Sequence, residues 1–453
     1  MRSFHFDHAL LPAGWAHEVR IDVADGMITA VQPGSPRGEA ERIAGIALPG
    51  LPNLHCHAFQ RALAGLAERR GAADDSFWTW REVMYRFLAE LTPDDVEAIA
   101  AFAYMEMLER GFTAVGEFHY LHHDVDGRPF ADIGEMAGRI AVAAGQTGIG
   151  LTLLPSFYAN GGFGGMAATP AQRRFLNGPD PFLRLLARTR EIAAAVPDAV
   201  VGVAPHSLRA VTPATLRLVA AAGEAGPIHI HAAEQKKEVE ESLAALGQPP
   251  VAWLMDNCEI GPRWCLVHAT HMEEAEISRL AGSGAVAGLC PLTEANLGDG
   301  IFPAEPFFAA GGRFGIGSDS NIAIDGAGEL RQLEYAQRLR RHARNVLAGA
   351  AGQSTGRRLY DGALAGGAQA LGRRIGLLAP GRRADIVVLD ADHPDLAGRS
   401  GDAWLDAYVF VAGGSMVQTV LVGGATVVSE GRHRARAAIE DRYRKAVTRL
   451  VSK

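Results

Sequence analysis

LPNLHCH, residues 51–57, ends an apolar run with two histidines that are separated by one residue. Alternate side chains of a β-strand lie on the same face, so an extended segment 46–57 places His55 and His57 on one side and Cys56 on the other. Two neutral imidazoles at a strand end can form half of a Zn²⁺ site. Because a His-X-His pair alone is common, the prediction depends on ligands elsewhere in the chain.

Length, composition and charge indicate a globular protein and give no sign of a nucleic-acid-binding or membrane protein. The chain has 453 residues, 48% of them hydrophobic, which is enough for one large α/β domain and a smaller one. A net charge of −7 gives no reason to expect a nucleic-acid or membrane partner. The N-terminus is charged where a signal peptide is apolar, and no apolar run is long enough to span a bilayer. Four cysteines without paired spacing, at 56, 258, 265 and 290, fit a reducing compartment. We therefore expect a soluble cytoplasmic protein.

The two ends of the chain have the pattern of short β-strands. Segments 17–23 and 27–31 flank Asp25-Gly26, a strong hairpin signal. Near the other end, segments 384–390 and 417–422 are strand-like, and Gly423-Gly424 suits a tight turn. We expect these ends to pair into one small β domain.

Between the ends, apolar strands alternate with helices, which is typical of βα units and a parallel sheet. A helix from Thr92 to Arg110, stopped by Gly111, illustrates the pattern. Eight strands are predicted, with ends near His57, Tyr120, Tyr158, His206, Glu234, His271, Pro291 and Ser320. Eight such units predict an α/β fold of the (β/α)₈ TIM-barrel type, whose functional residues lie at the carboxyl ends of the strands. A glycine-rich segment at 160–165 is flexible enough to be a lid.

Several strand ends carry further candidate ligands. Strand five offers His229 and His231 on one face, and we choose His231 because it lies nearer the strand end, leaving His229 as an interior histidine. Strand six offers His268, which should point inward, and His271, which could instead cap the next helix. Strand eight ends in Asp319, a carboxylate that is costly to bury unless it is paired or metal-bound.

These residues define a hydrolytic metal site. The predicted Zn²⁺ ligands are His55, His57, His231 and Asp319. Zinc makes hydroxide available at neutral pH, and Glu234, which is not a ligand, can shuttle protons. Asp319 would take the proton of the attacking water, and His268 would stabilise developing charge. The chemistry described is hydrolysis at a trigonal carbon that bears nitrogen.

The ordered set His55-X-His57, His231-X-X-Glu234, His268 and Asp319 resembles the amidohydrolase superfamily. Segment LPGL, 48–51, resembles that family's departure from its β-sandwich, and GLLAPGRRADIVVLD, 376–390, resembles the return to it. The resemblance covers nearly the whole chain. It implies a TIM barrel over 49–370 and a small β-sandwich domain formed by 1–48 and 371–453.

The same resemblance bears on the number of metal ions. Two-metal members bridge their ions with a carboxylated lysine, usually at the end of strand four. The lysines of this chain are at 236, 237, 445 and 453, so none precedes the fifth strand. One Zn²⁺ per subunit is therefore predicted.

The loops after the strands suggest the substrate. Arg81 and Arg209 can each bind a carboxylate through two hydrogen bonds. Three further side chains would complete a pocket suited to a small dicarboxylate: Gln60, Tyr120 and His206. The stretches that carry a closer resemblance are HCHAFQR (55–61), WRE (80–82), GEFHY (116–120), PHSLR (205–209) and GSDSN (317–321). They resemble the branch of the superfamily that converts N-formimino-L-glutamate to N-formyl-L-glutamate and ammonia in histidine degradation, which implies those five substrate contacts and a homodimer.

Two alternatives stay open at the level of the sequence. An aromatic or nucleoside-type deaminase would share the metal ligands but should show aromatic stacking partners and fewer cations. An inactive scaffold with the same fold could lose ligands without losing the ability to fold.

Overall fold

The structure is a computed structural model that describes residues 1–70 and 75–452. Its strands, in chain order, are β1 (Arg2–Leu11), β2 (Gly14–Ala24), β3 (Met27–Gln32), β4 (Glu41–Pro49), β5 (Leu51–Cys56), β6 (Phe112–His119), β7 (Gly150–Phe157), β8 (Val200–Val201), β9 (Ala204–Pro205), β10 (Ile228–Ala232), β11 (Trp264–His268), β12 (Val286–Leu289), β13 (Arg313–Ile316), β14 (Ile386–Leu389), β15 (Val417–Val422), β16 (Ala425–Ser429) and β17 (Arg432–His433).

The α-helices of the described residues follow the same numbering. They are α1 (Phe77–Leu88), α2 (Pro93–Glu109), α3 (Glu135–Thr147), α4 (Pro179–Ala193), α5 (Pro213–Ala222), α6 (Lys236–Leu246), α7 (Pro250–Asn257), α8 (Glu274–Ser283), α9 (Pro291–Leu297), α10 (Ala304–Ala309), α11 (Gly326–Arg341), α12 (Thr355–Ala370), α13 (Asp402–Ala407) and α14 (Arg436–Val451). Within these ranges, no helix has both the length and the apolar character that a membrane crossing requires.

The two ends of the chain form one eight-stranded sheet, in the order β17-β16-β15-β14-β4-β1-β2-β3. The predicted hairpin at Asp25-Gly26 is confirmed, because Ala24 pairs with Met27 across it. Strand β4 joins the two halves: it runs parallel to β1 and antiparallel to β14. Its last residue, Pro49, is separated from β5 by Gly50 alone, so the small sheet leads directly into the large one.

The middle of the chain forms a parallel sheet in the order β10-β11-β12-β13-β5-β6-β7-β8, with β9 beside β7. Single parallel bridges, Val203 to Ile228 and Ser207 to His231, link the fourth strand region to β10 at the other end of this order. The predicted order of strands is confirmed, but β11 ends at His268 and β13 at Ile316, three and four residues before the predicted ends near His271 and Ser320. The fourth strand is split into β8 and β9. Gly202 and Val203 separate the two pieces, and Pro205 has no N–H to donate to a ladder.

The helix predicted from Thr92 is present as α2. Thr92 caps it, with its hydroxyl accepting from Asp95 N, and Gly111 follows its end with φ +90°. The C-terminal helix α14 packs on α2, where Tyr443 stacks on Phe102 with ring centroids 3.9 Å apart. With α3 packed on another side, α14 helps to bury α2 on nearly all sides rather than along one stripe.

A separate apolar cluster fills the space between the strands of the large sheet. Leu54, Ala114, Val267 and Val286 pack there with Leu371, which follows α12. The functional side chains lie next to this cluster, at the carboxyl ends of the strands, as expected for this architecture: His55 follows Leu54, and His268 follows Val267.

Candidate metal centre and substrate pocket

The four predicted Zn²⁺ ligands lie close together in the structure. His55, His57, His231 and Asp319 each offer one donor atom, and these atoms all lie within 4.8 Å of one another. The Nε2 atom of His55 is 3.2 Å from Nε2 of His57 and 3.2 Å from Nε2 of His231. Asp319 Oδ1 lies 3.3 Å from Nε2 of His55. All four side chains are buried.

The hydrogen bonds around this group show that it suits a cation. Nδ1 of His57 donates to the carbonyl of Phe118 at 2.9 Å, and Nδ1 of His231 donates to the carbonyl of His206 at 2.9 Å. Since each neutral ring carries one hydrogen, the Nε2 atoms of His57 and His231 are bare acceptors that face Nε2 of His55. Burial lowers the pKa of all three histidines, to about 3 for His55, which keeps them neutral and able to bind metal.

Backbone pairing sets the position of Asp319. Its N–H donates to the carbonyl of His55 at 2.9 Å, and its own carbonyl accepts from His57 N at 3.0 Å. Gly317 permits this close approach, because a Cβ there would lie 2.7 Å from the carbonyl oxygen of His55. Burial acts to raise the pKa of Asp319, but the hydrogen bond from His55 and the neighbouring histidines hold it below its ordinary value.

Unusual backbone conformations mark the same strand ends. Five non-glycine residues there have positive φ: Ala233, His268, Ala269, Asp319 and Asn321. Such conformations cost free energy and persist only where the surrounding structure enforces them, which is common at functional sites. Asn321 is held by its side chain, whose Nδ2 donates to the carbonyl of His57 at 3.1 Å.

Two ionisable side chains that are not in the donor group lie beside it. Nε2 of His268 is 3.8 Å from Glu234 Oε1 and 3.8 Å from Asp319 Oδ2. Burial raises the pKa of Glu234 to about 7, although His268 and Arg209 act in the opposite direction, so it can gain and lose a proton at neutral pH. Burial alone would lower the pKa of His268, but Glu234, Glu294 and Asp319 raise it to about 10. These three carboxylates thus favour the cationic form of His268.

All five predicted substrate contacts line one pocket that reaches His57, His231, Glu234, His268 and Asp319. Gln60 Nε2 donates to the Tyr120 hydroxyl at 2.8 Å. The Nε atoms of Arg81 and Arg209 are buried and have no hydrogen-bond partner among the described residues. The structure thus brings together every residue chosen from the sequence, and the individual roles stay predictions.

The structure separates the paired histidine candidates. His229 is fully buried, and its Nε2 donates to the carbonyl of Ala370 at 2.8 Å, so it is an interior histidine as predicted. His271 Nε2 donates to the carbonyl of Asp299 at 2.8 Å. It does not cap α8, whose N-cap is Glu273.

Sequence reasoning missed two features of the site. Glu294, on α9, accepts from Nδ1 of His268 at 3.3 Å and from Cys290 N at 2.9 Å. The sequence signal that could have identified Glu294 is its position about one helical turn after the end of the seventh strand, β12. The second feature is the aromatic lining of the pocket, supplied by residues far apart in sequence: Phe77, Trp80, Tyr85, Tyr158 and Phe175.

The glycine-rich segment predicted as a lid contains a short 3₁₀ turn, Phe163–Gly165. Gly161 N donates to the carbonyl of Met166 at 2.8 Å, which closes the segment into a compact loop. Whether it moves stays a prediction.

Comparison with known protein families shows the family to which the chain belongs. The family described as "Amidohydrolase family" matches residues 46–427. The chain belongs to this family. Residues 1–44 also match "Formimidoylglutamate deiminase HutF, N-terminal domain".

Individual relatives narrow the comparison. The chain is 53% identical to formimidoylglutamate deiminase of Pseudomonas aeruginosa, over 100% of this chain and 99% of the relative. It is 30% identical to a 5-methylthioadenosine/S-adenosylhomocysteine deaminase of Natronomonas pharaonis, over 85% of this chain and 82% of the relative. These alignments confirm the resemblance inferred from the sequence.

Solved structures agree with the fold. The crystal structure of an amidohydrolase from Brucella melitensis superposes with a TM-score of 0.95 at 52% identity, covering 100% of both chains. An adenosine deaminase from Xanthomonas campestris with bound zinc superposes with a TM-score of 0.80 at 23% identity, over 100% of this chain and 98% of that one. The second similarity is one of fold alone.

Proposed function

We propose that this chain hydrolyses N-formimino-L-glutamate to N-formyl-L-glutamate and ammonia, as a formimidoylglutamate deiminase of histidine degradation. The observation that carries the proposal is the pair of pocket arginines, Arg81 and Arg209, whose buried Nε atoms lack partners among the described residues. Two such guanidinium groups suit a ligand with two carboxylates. The 53% identity to the Pseudomonas enzyme supports the same substrate.

A purine-type deaminase is the second candidate, because aromatic rings line much of the pocket. A neutral purine, however, would give the Arg81 guanidinium no counter-charge and would leave buried Arg209 with only the carboxylate of Glu234 within 4 Å, at 3.8 Å, which is costly. An inactive scaffold is disfavoured because the complete donor group is assembled with its supporting hydrogen bonds.

One Zn²⁺ per subunit is the proposed cofactor, held by His55, His57, His231 and Asp319. Three imidazoles and a carboxylate are ligands that zinc accepts, and the bare Nε2 atoms give it nitrogen donors. When bound, zinc lowers the pKa of a coordinated water from 15.7 to about 7 and so supplies hydroxide at neutral pH.

The side chains of the pocket account for the remaining steps. Arg81 and Arg209 bind the two carboxylates and fix the formimino carbon near the donor group. A C–O bond forms to the oxygen of water and the C–N bond to the imino nitrogen breaks. Asp319 accepts a proton from the attacking water, Glu234 carries protons to the leaving nitrogen, and His268 stabilises the developing negative charge. Both hydrogens of water thus leave with the imino group as ammonia.

We also propose that the large sheet closes into a (β/α)₈ barrel over 49–370, and that 1–48 and 371–453 form a β-sandwich domain. The bridges from Val203 to Ile228 and from Ser207 to His231 support closure. The common sheet of the two chain ends, with its own core around Phe6, Ile21 and Ile386, supports a second domain.

Cytoplasmic location and a homodimer complete the proposal. All four cysteines, which lie within the described ranges, are free, and this suits a reducing compartment. An apolar surface suited to a second copy includes Leu339, 76% exposed, and Val411, 52% exposed, beside the stacked rings of Tyr335 and Phe410. Light scattering of the purified protein tests the dimer.

The decisive experiment compares ammonia release from N-formimino-L-glutamate with release from guanine, adenosine and simple amidines. We expect turnover of the formimino compound and little or none of the purines. Turnover of a purine in its place would overturn the substrate assignment. Protein without bound metal that gains no activity on addition of Zn²⁺ would instead favour the scaffold.

A further inference from the structure

One indole ring, that of Trp78 on α1, is in contact with cations from three segments around the pocket, which are α1 itself, the loop after β9 and the first turn of α6. The guanidinium carbon of Arg81 lies 4.6 Å from the ring centroid of Trp78, and that of Arg209 lies 5.7 Å from it. The Nζ atom of Lys237 lies 4.5 Å from the same centroid. These distances are within the range of cation–π attraction.

Helix α1 fixes the position of this ring relative to Arg81. Ser76 caps the helix, with its hydroxyl accepting from Trp78 N at 3.3 Å. Trp78 and Arg81 are three residues apart, and Arg81 and Tyr85 are four apart, so all three lie on one helical face. The Arg81 guanidinium is therefore placed between two rings, 5.6 Å from the centroid of Tyr85.

Apart from Trp78, the contacts of the two arginines in the absence of substrate are mainly with other rings: Tyr85 for Arg81, and for Arg209 the Phe77 ring, with 6.0 Å to the centroid. The charges of Glu238 and Glu234 also favour the cationic form of Arg209. The carboxylate nearest to Arg209 is that of Glu234, with 3.8 Å between Nη2 and Oε2, which is beyond hydrogen-bond distance. Arg81 forms no ion pair within residues 1–70 and 75–452. Gathering two like charges in a buried pocket is unfavourable, and the negative face of an aromatic ring offsets part of that cost.

An aromatic ring also suits this task chemically. A carboxylate in its place would neutralise the arginines and compete with the substrate. A ring stabilises a guanidinium through its face and leaves the N–H edge free to donate, in agreement with the unpartnered Nε atoms of Arg81 and Arg209.

We propose that Trp78 is a positioning residue that holds Arg81, Arg209 and Lys237 around the pocket and so sets its preference for dicarboxylates. This inference rests on the proposed function. Trp78 acts through the arginines and not on the reacting atoms. Lys237, whose side chain is 56% exposed, adds positive charge that attracts a dianion from solution.

The test is steady-state kinetics of Trp78→Leu and Trp78→Phe with N-formimino-L-glutamate. Loss of the cation–π contacts to the two carboxylate-binding arginines should raise KM about ten-fold in Trp78→Leu, with kcat within about two-fold of the wild type. Trp78→Phe, which keeps a ring, should recover most of the affinity. The inhibition constant of glutarate should rise in Trp78→Leu, whereas that of butyrate, with one carboxylate, should change much less.

A matched control is Trp15→Leu, which removes an indole from the small sheet, where Trp15 Nε1 donates to Asp402. It should leave KM and both inhibition constants unchanged. A Trp78→Leu enzyme with wild-type KM, or one that loses kcat alone, overturns the role of Trp78. Failure of the wild-type enzyme to turn over N-formimino-L-glutamate would refute the proposed function instead, so the two failures are distinguishable.

Discussion

His268 and Glu294 form a buried pair in which Nδ1 of the imidazole lies 3.3 Å from Oε1 of the carboxylate. The same oxygen accepts from Cys290 N, so the carboxylate is fixed by the first turn of α9. This bond leaves Nε2 of His268 directed toward Glu234 and Asp319. Glu294 thus orients the ring and favours its cationic form.

Replacement of Glu294 by Gln should therefore impair catalysis more than binding. The amide keeps the shape and can still accept from Cys290 N, but it removes a negative charge that stabilises His268. We expect kcat to fall by about ten-fold, because weakening a charge-assisted hydrogen bond costs about 1.4 kcal/mol in the transition state. KM should change little. Glu276→Gln, which alters a buried helix-capping carboxylate outside the pocket, should retain wild-type kcat. A wild-type kcat in Glu294→Gln would mean that the pair is only structural.

Glu234→Gln should keep the metal and lose most activity. The side chain is not in the donor group, so metal content measured by atomic emission should equal that of the wild type. Loss of a general acid–base group should reduce kcat on the order of 10² to 10⁴-fold. A metal-free Glu234→Gln protein would show that Glu234 is a ligand and that its assigned role is wrong.

Strand β10 offers an internal control for the metal ligands. His231→Gln removes a bare Nε2 donor and should lower the metal content well below one equivalent per chain, with loss of activity. His229→Gln changes a histidine two residues earlier that bonds to Ala370, and it should retain metal. Loss of metal from His229→Gln, with metal retained in His231→Gln, would show that His229 is the ligand and His231 the interior histidine.

Stability in acid should depend on Glu97, which links α2 to the C-terminal helix. Burial acts to raise the pKa of Glu97, but hydrogen bonds from Arg442, Gln146 and Arg139 lower it below 4.5 overall. A depressed native pKa gives stability that is present above the unfolded pKa and is lost as pH falls through the native one. The melting temperature of Glu97→Gln should therefore lie below that of the wild type at pH 6, and the gap should shrink below about pH 4.5. A constant gap across this range would exclude the linkage.

Periodicity and turn residues predicted much of this fold because their effects are local. Asp25-Gly26 determines its hairpin within four residues, and Thr92 caps α2 through Asp95. His231 could be preferred over His229 because strand position alone separates the carboxyl end from the interior.

The remaining features depend on contacts between distant segments. Glu294 matters only because α9 brings it against His268 from the preceding βα unit. The role of Trp78 depends on Arg209, in the loop after β9, and on Lys237, in the first turn of α6. The burial of Phe102 on α2 depends in part on Tyr443, more than three hundred residues later. A local sequence pattern cannot predict these contacts, because each one joins residues that are far apart in the chain.

The pairing of Pro49 with Ile386 in the shared sheet has a consequence for the order of events during synthesis. Strands β1 to β4 leave the ribosome first, but β4 has an open edge until β14 emerges. During that interval the exposed edge can pair with other chains, as unpaired edges do in partly synthesised proteins. Completion of this sheet is therefore a late step of folding, and the N-terminal strands depend on the last quarter of the chain for their protection.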